Sequence, residues 1–398
     1  MANKMQNSGK KTVLNVYPSK FGGGAQSVFK NTCELLKEKG DFISLNGSLD
    51  VDSDLVLKRS IFGISNIIRT FIYIKKNQVD IFHFHGGLTL GILFPFLLLI
   101  GWLQKNIRIV FTAHNYAMIC PSQKRYHYKA RKPCDRCSFS SLNMSYFSSG
   151  CEEKKIGIKL VKWMYSVNLR LALLGDMVSV LTPSTFSANV FKSNNIENIV
   201  VANNPVNFSN EKSQVNPQSI ECLKNEIVFL GRFVEEKGVY DFCDEIISNK
   251  NYYKNVKVNL IGDGPEKNSI ISMLEEHGID FTDFGFCDKG RVKSILLNSN
   301  VIVVPSIWDE TFGLVVAEAI FNFCIPVVSN RGALHEIVDK AGVGNVFDCS
   351  SSQDLHRAIE KSFSEYNEVE WNKVLLNLSL HLSDDNYFSH LKAVYDCK

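Results

Sequence analysis

Two glutamates eight positions apart, Glu310 and Glu318, punctuate the run VIVVPSIWDETFGLVVAEAIFNFCIPVVSNRGALHEI over residues 301–337. Eight residues turn an α-helix by about 800°, so on the helix predicted over Thr311–Asn322 the two carboxylates share a face. Glu318 stands among apolar neighbours, where a carboxylate without a partner is costly. Glu310 at the helix mouth would serve equally well as a cap or dipole partner. Aimed at a cleft, the pair can grip the hydroxyls of a sugar ring and of a ribose. Arg232 and Lys237 supply the opposite charge. Singly they are ordinary surface residues; presented by a strand end, they neutralise a diphosphate and the charge growing on a leaving group. The Gly22–Gly24 loop offers backbone N–H groups for the same task. His114, at the end of FTAHN, is placed to orient a hydroxyl, although a lone histidine is more often structural.

The elements that must position these residues follow from period and punctuation. Val301–Val304 and Ile325–Val328 are β-branched runs joined by a helix, the pattern of a parallel α/β sheet, whose ligands lie beyond the carboxyl ends of the strands. Strands are predicted at Thr12–Tyr17, Phe42–Leu45, Val79–Phe84, Arg108–Thr112 and Val178–Thr182 in the first half, and at Glu226–Leu230 and Lys257–Ile261 in the second. Helices alternate with them, among them Ala25–Lys39, stopped by Gly40, and Ile67–Lys75. The first glycine loop lacks GxGxxG spacing, which disfavours a dinucleotide oxidoreductase. The polar run Asn207–Gln218 reads as a linker. The expected division is an N-terminal domain over 1–204, a second over 205–380, and a terminal helix over 381–398 packing back on the first.

Composition narrows the class. A chain of 398 residues with 45% apolar and 21% charged content is a folded protein of two domains, and a net charge of +3 gives no case for nucleic acid. The N-terminal residues hold no apolar run of signal-peptide length, so a cytoplasmic, reducing location is expected for the eleven cysteines. Four of them, Cys120, Cys134, Cys137 and Cys151, fall in a basic insert over 116–152; a structural zinc, free thiols and a disulfide all remain open. Leu88–Leu103 is apolar but shorter than the roughly 20 residues that span a bilayer, so a buried or partly lipid-facing helix is favoured. The predicted helix Lys154–Leu174 carries Lys155, Lys159, Lys162 and Arg170, which reads either as a solvated face or as contact with an anionic membrane surface.

Several of these stretches together resemble the glycosyltransferases of family 4. They are FLGRFVEEKG, IGDGPE, VVPSIWDETFG with its glutamates at Glu310 and Glu318, and PVVSNRGALHEIV. The resemblance covers nearly the whole chain and is strongest from Ile227 to Val346. It implies the GT-B fold, two Rossmann-like doubly wound domains facing each other across a cleft, and retaining transfer of a sugar from a UDP- or GDP-sugar without a catalytic metal. It also implies roles. Arg232 and Lys237 would hold the diphosphate, Glu310 the transferred sugar and Glu318 the ribose. The backbone near Phe284, Gly285 and Phe286 would face the base. Gly23, Gly24, Gly262, Gly264, Thr311, Phe312, Gly313 and Leu314 would line the donor. HNYAMICP followed by KPCDRC is similar to members that build bacterial surface polysaccharides on lipid-linked acceptors, which implies peripheral work at the cytoplasmic face of the inner membrane. Ala333 stands where the commoner pattern has a second glycine. A nucleotide-sugar epimerase and a non-catalytic nucleotide-sugar-binding protein are the competing readings.

Overall fold

The computed structural model describes residues 9–18, 23–100, 106–174, 178–206 and 225–397. Gly22, the end of the 88–103 run and the linker Asn207–Gln218 lie outside them. The chain divides into two compact units. One comprises the described parts of Met1–Arg125, Cys134–Pro205 and Asp384–Lys398; the other, those of Tyr126–Pro133 and Val206–Ser383.

The first unit is built on strands β1 (Thr12–Val16), β2 (Ile43–Ser48), β3 (Leu55–Val56), β4 (Ile81–Phe84) and β5 (Arg108–Thr112). The short antiparallel pair β6 (Tyr126–His127) and β7 (Lys132–Pro133) comes next in the chain, then β8 (Val178–Thr182) and β9 (Ile199–Val201). The seven-stranded sheet runs β3-β2-β1-β4-β5-β8-β9, all parallel. Every residue of β1, β4 and β8 is buried, as expected where helices cover both faces of a parallel sheet. The terminal helix Asp384–Asp396 belongs to this unit: the Tyr387 hydroxyl meets Thr32 Oγ1 at 3.0 Å, and Lys11 Nζ donates to the Tyr395 carbonyl at 3.1 Å.

The second unit continues with β10 (Glu226–Leu230), β11 (Lys257–Ile261), β12 (Phe281–Asp283), β13 (Val301–Val304), β14 (Ile325–Ser329) and β15 (Asn345–Phe347), in the parallel order β12-β11-β10-β13-β14-β15. Val301 and Val303 enter one apolar core while Ile302 and Val304 enter the other, the two-residue alternation of a strand buried on both sides. The β6–β7 pair groups with this unit because Arg131 Nε pairs with Glu235 Oε1 at 2.7 Å and the Tyr126 hydroxyl donates to the same oxygen at 3.3 Å.

Three expectations are corrected. The apolar run is not one helix but two 3-10 segments, Leu88–Leu90 and Phe94–Leu99, with Leu90, Ile92, Phe94, Leu97 and Leu98 in the core; Gly91, at φ 120°, separates them. No helix among the described residues is long and apolar enough to cross a membrane. The helix predicted from Lys154 runs Ile156–Ala172 and presents no lysine stripe. Lys159 and Arg170 are buried, Arg170 donating to the Ser138 carbonyl at 3.1 Å, and Lys162 pairs with buried Glu152. The helix after β13 runs only Leu314–Phe321, because Gly313 at φ 101° keeps the preceding loop out of the helix. Glu310 therefore lies off the helix, and its shared face with Glu318 does not exist.

Candidate functional site

In both sheets the strand order reverses between the first strand of the unit and a later neighbour: β1 and β4 in one, β10 and β13 in the other. At such a switch point the connections leave for opposite faces and open a crevice at the carboxyl ends of the strands. A polar cluster of the second unit sits at the β10/β13 reversal. β10 leads through Gly231, Arg232 and Phe233 into a 3-10 turn, Glu235–Lys237, and β13 leads through Pro305 and Ser306 to Glu310.

Lys237 Nζ donates to Glu310 Oε1 at 2.5 Å, and Ser306 Oγ donates to the same oxygen at 2.8 Å. Ser329 Oγ at the end of β14 donates to the Ser306 carbonyl at 2.6 Å, so three strand ends hold one carboxylate. The ammonium also lies 5.4 Å from the centre of the Trp308 ring, whose buried indole N–H has no partner among the described residues. Two glycines make this packing possible. Gly238 takes φ 69°, and a Cβ there would stand 1.8 Å from the Pro305 carbonyl oxygen. Gly332 takes φ 63°, and a Cβ would stand 2.2 Å from Glu310 N. The Ala333 N–H then donates to the Glu310 carbonyl at 2.9 Å. Ala333 itself is fully buried, so the position where a glycine was anticipated holds a small core residue.

Around this centre the remaining residues take distinct places. Arg232 is exposed, and its guanidinium lies 3.8 Å from the buried Glu236 carboxylate. Gly262 and Gly264 are backbone contacts: a Cβ on the first would meet the Gly231 oxygen at 1.8 Å, and one on the second the Phe233 oxygen at 2.3 Å. Phe312 is buried in the core, which leaves only its backbone for a ligand; Thr311, Gly313 and Leu314 are partly exposed. Glu318 is half-buried on its helix, and burial pushes its carboxyl up, partly offset by Lys289. Phe286 is exposed on the loop after β12. Sequence reasoning missed Ser306, Trp308 and Glu236. The Pro-Ser step directly after a buried strand was the available signal for Ser306, and EEK just before Gly238 was the one for Glu236.

The first unit has its own polar cluster at the β1/β4 reversal. Gly23 caps the helix Gly24–Lys39, whose first-turn N–H groups carry the positive end of the helix dipole. His114 Nε2 and His85 Nδ1 are 3.3 Å apart, and His85 Nε2 lies 3.4 Å from Asn15 Oδ1. His83 stacks on His85 at 4.0 Å between ring centres and hydrogen-bonds Tyr395 at 2.7 Å and Thr112 at 2.6 Å. Burial holds all three imidazoles neutral, with His114 pulled down to about 4 and His83 to about 3.

Cys120 and Cys137 share a hydrogen bond that pulls the Cys120 thiol down to about 6 and pushes Cys137 up; Cys134 and Cys151 act electrostatically on Cys137. All four are free thiols, and among the described residues no three His, Cys, Asp or Glu side chains form a metal-holding group.

Comparison with known proteins places these features in context. A family model described as glycosyl transferases group 1 matches residues 211–371. This corrects the family 4 expectation: the stretch quoted for it, Ile227 to Val346, falls inside a match to group 1. An uncharacterized 42.6 kDa protein in the cps region of Klebsiella pneumoniae is 25% identical over 254 residues, covering 63% of this chain and 58% of that protein. The match thus spans under two thirds of that relative's length. A glycosyltransferase of Rickettsia africae superposes with a TM-score of 0.70 at 16% identity, over 97% of this chain and 98% of that one. Alr3699/HepE of Anabaena in complex with UDP-glucose superposes with a TM-score of 0.68 at 14% identity, over 97% and 100%. Identity at this level carries the fold, and the fold is that of GT-B proteins, built of two Rossmann-like units.

Proposed function

We propose that this protein is a retaining glycosyltransferase. It moves a sugar from a nucleoside-diphosphate sugar, UDP favoured over GDP, to a hydroxyl of a lipid-linked oligosaccharide during assembly of a bacterial surface polysaccharide. The observation that carries the reading is the Lys237–Glu310–Ser306 cluster at the sheet's switch point, with exposed Arg232 on the same loop as Lys237. The UDP-glucose bound to the Anabaena protein and the cps-region origin of the Klebsiella relative support the donor and the pathway class.

The chemistry follows from charge. The bond between the anomeric carbon and the diphosphate oxygen breaks as the acceptor oxygen bonds to that carbon on the same face, and the acceptor proton passes to the departing diphosphate. Arg232 and Lys237 stabilise the negative charge that gathers on the leaving group. Glu310, held by Ser306 and Lys237, accepts from the sugar hydroxyls, Glu318 accepts from the ribose, and His114 orients a sugar hydroxyl. The neutral imidazole suits that role because it can both donate and accept. The acceptor is met at an anionic membrane surface.

The test is a thermal-shift panel of nucleoside diphosphates and their sugars, followed by transfer to a lipid-linked acceptor. A shift with one base and product with one sugar is the expected result. Binding without transfer to any acceptor would make this a nucleotide-sugar-binding protein, and free sugar released without acceptor would favour the epimerase.

A further inference from the structure

The helix Ile64–Lys76 of the first unit carries apolar residues on both sides: Ile67, Phe71, Tyr73 and Ile74 pack on the core, and a second apolar row faces outward. Asn66, Thr70 and Ile74 are its fully turned-in residues, while Ile64, Ile68 and Ile72 are 55%, 53% and 59% exposed. Residues four apart lie on one face, so the three isoleucines form a continuous apolar stripe about 12 Å long. The inward Asn66 is structural. Asn66 clamps the incoming loop through Lys58 N at 3.1 Å and the carbonyls of Lys58 at 2.7 Å and Leu90 at 2.9 Å. That clamp fixes Ile61 and Phe62, 65% and 57% exposed, just ahead of the stripe.

Charge accompanies the apolar residues. From Leu55 to Val79 there is no acidic residue, whereas Lys58, Arg59, Arg69, Lys75 and Lys76 are all exposed. The segment is 13 residues long, too short to cross a bilayer, yet isoleucine, phenylalanine and flanking basic side chains are what an interfacial helix presents to anionic headgroups. Long basic side chains reach headgroup phosphates while their stems and the isoleucines enter the acyl boundary.

We propose that this face, Ile61–Lys76, is where the protein docks on an anionic lipid bilayer, in place of the helix Ile156–Ala172 whose basic residues are turned inward. The inference deepens the membrane part of the transferase reading and rests on it for its purpose, not for its chemistry. A second protein or a second copy of this chain would call for a partner face of matching shape, whereas a bilayer answers both the apolar stripe and the basic side chains that flank it.

The test uses the full chain without substrate, co-sedimented with phosphatidylcholine vesicles and with vesicles containing phosphatidylglycerol. Binding to the anionic vesicles, weakened by salt, is the expected result. Ile64→Gln/Ile68→Gln/Ile72→Gln keeps good helix formers at exposed positions and should lower vesicle affinity by about tenfold or more. Arg69→Gln/Lys75→Gln/Lys76→Gln should abolish the preference for anionic lipid. Leu376→Gln/Leu380→Gln, equally exposed on the second unit, should change nothing. Unchanged vesicle binding in the isoleucine variant overturns the proposal, as does a self-association in the wild type that the same variant removes. Nucleoside-diphosphate binding is measured on the same samples. Nucleotide binding without vesicle binding sinks the docking face alone, and vesicle binding without nucleotide binding sinks the transferase reading alone.

Discussion

Lys237 Nζ donates to Glu310 Oε1 across 73 positions of sequence, at the ends of two neighbouring parallel strands. The carboxylate is buried and the ammonium mostly so, and removing either leaves the other without its ionic partner. On the proposed transferase reading a donor sugar would meet a pre-formed pair, so binding and chemistry should separate in the variants below.

Glu310→Gln keeps the Ser306 bond and the side-chain volume. It should lower turnover by about 100-fold while leaving the nucleoside-diphosphate thermal shift near the wild-type value, since the loss falls on the transition state. Wild-type kcat in this variant would remove Glu310 from the site.

Arg232→Ala removes an exposed side chain whose contact with Glu236 is long. Stability should stay within about 0.5 kcal/mol of wild type, and donor affinity should fall by about tenfold with a weaker salt dependence. Calorimetric titration of the diphosphate at two salt concentrations measures both.

Gly332→Ala and Gly40→Ala place the same methyl at similar positive φ, 63° and 69°. Around Gly40 nothing lies within 4 Å, so only the backbone penalty of about 1 kcal/mol applies. At Gly332 the methyl collides with the Glu310 backbone, and a loss of about 3 kcal/mol is expected together with loss of activity. Equal melting points would show that the loop carries no such contact.

His114 and His83 have folded-state values of about 4 and about 3, below the ordinary 6.5, so the unfolded chain binds more protons between those limits. Their contribution to stability is fully present above pH 6.5 and is lost as pH falls through the window toward 4. For His114 alone the full loss is on the order of 3 kcal/mol. Denaturation of wild type and His114→Gln at pH 7 and pH 4.5 should show a smaller pH effect in the variant. Parallel curves would mean that His114 does not titrate on unfolding.

How much of this was legible in the chain depends on range. Strands such as Val301–Val304 and Glu226–Leu230 announced themselves because burial on both faces of a parallel sheet demands unbroken β-branched and apolar runs, and that demand is local. Arg232, Lys237 and Glu310 could be named as candidates because each lies in the loop that follows such a run. What the sequence could not hold was phase and direction. One glycine, Gly313, shortened a helix and moved its start away from Glu310; Gly91 broke an apolar stretch into two turns. The lysines of Ile156–Ala172 turned inward, and Ile64, Ile68 and Ile72 turned outward from a helix whose Ile67 and Ile74 pack on the core, because buried Asn66 and Glu152 found partners that only packing supplies. Local composition therefore determined the strands, the two-unit plan and the chemical inventory. Tertiary structure alone decided which charges meet, since the Lys237–Glu310 bond depends on β10 lying beside β13, a choice made by sheet order rather than by any neighbouring residue.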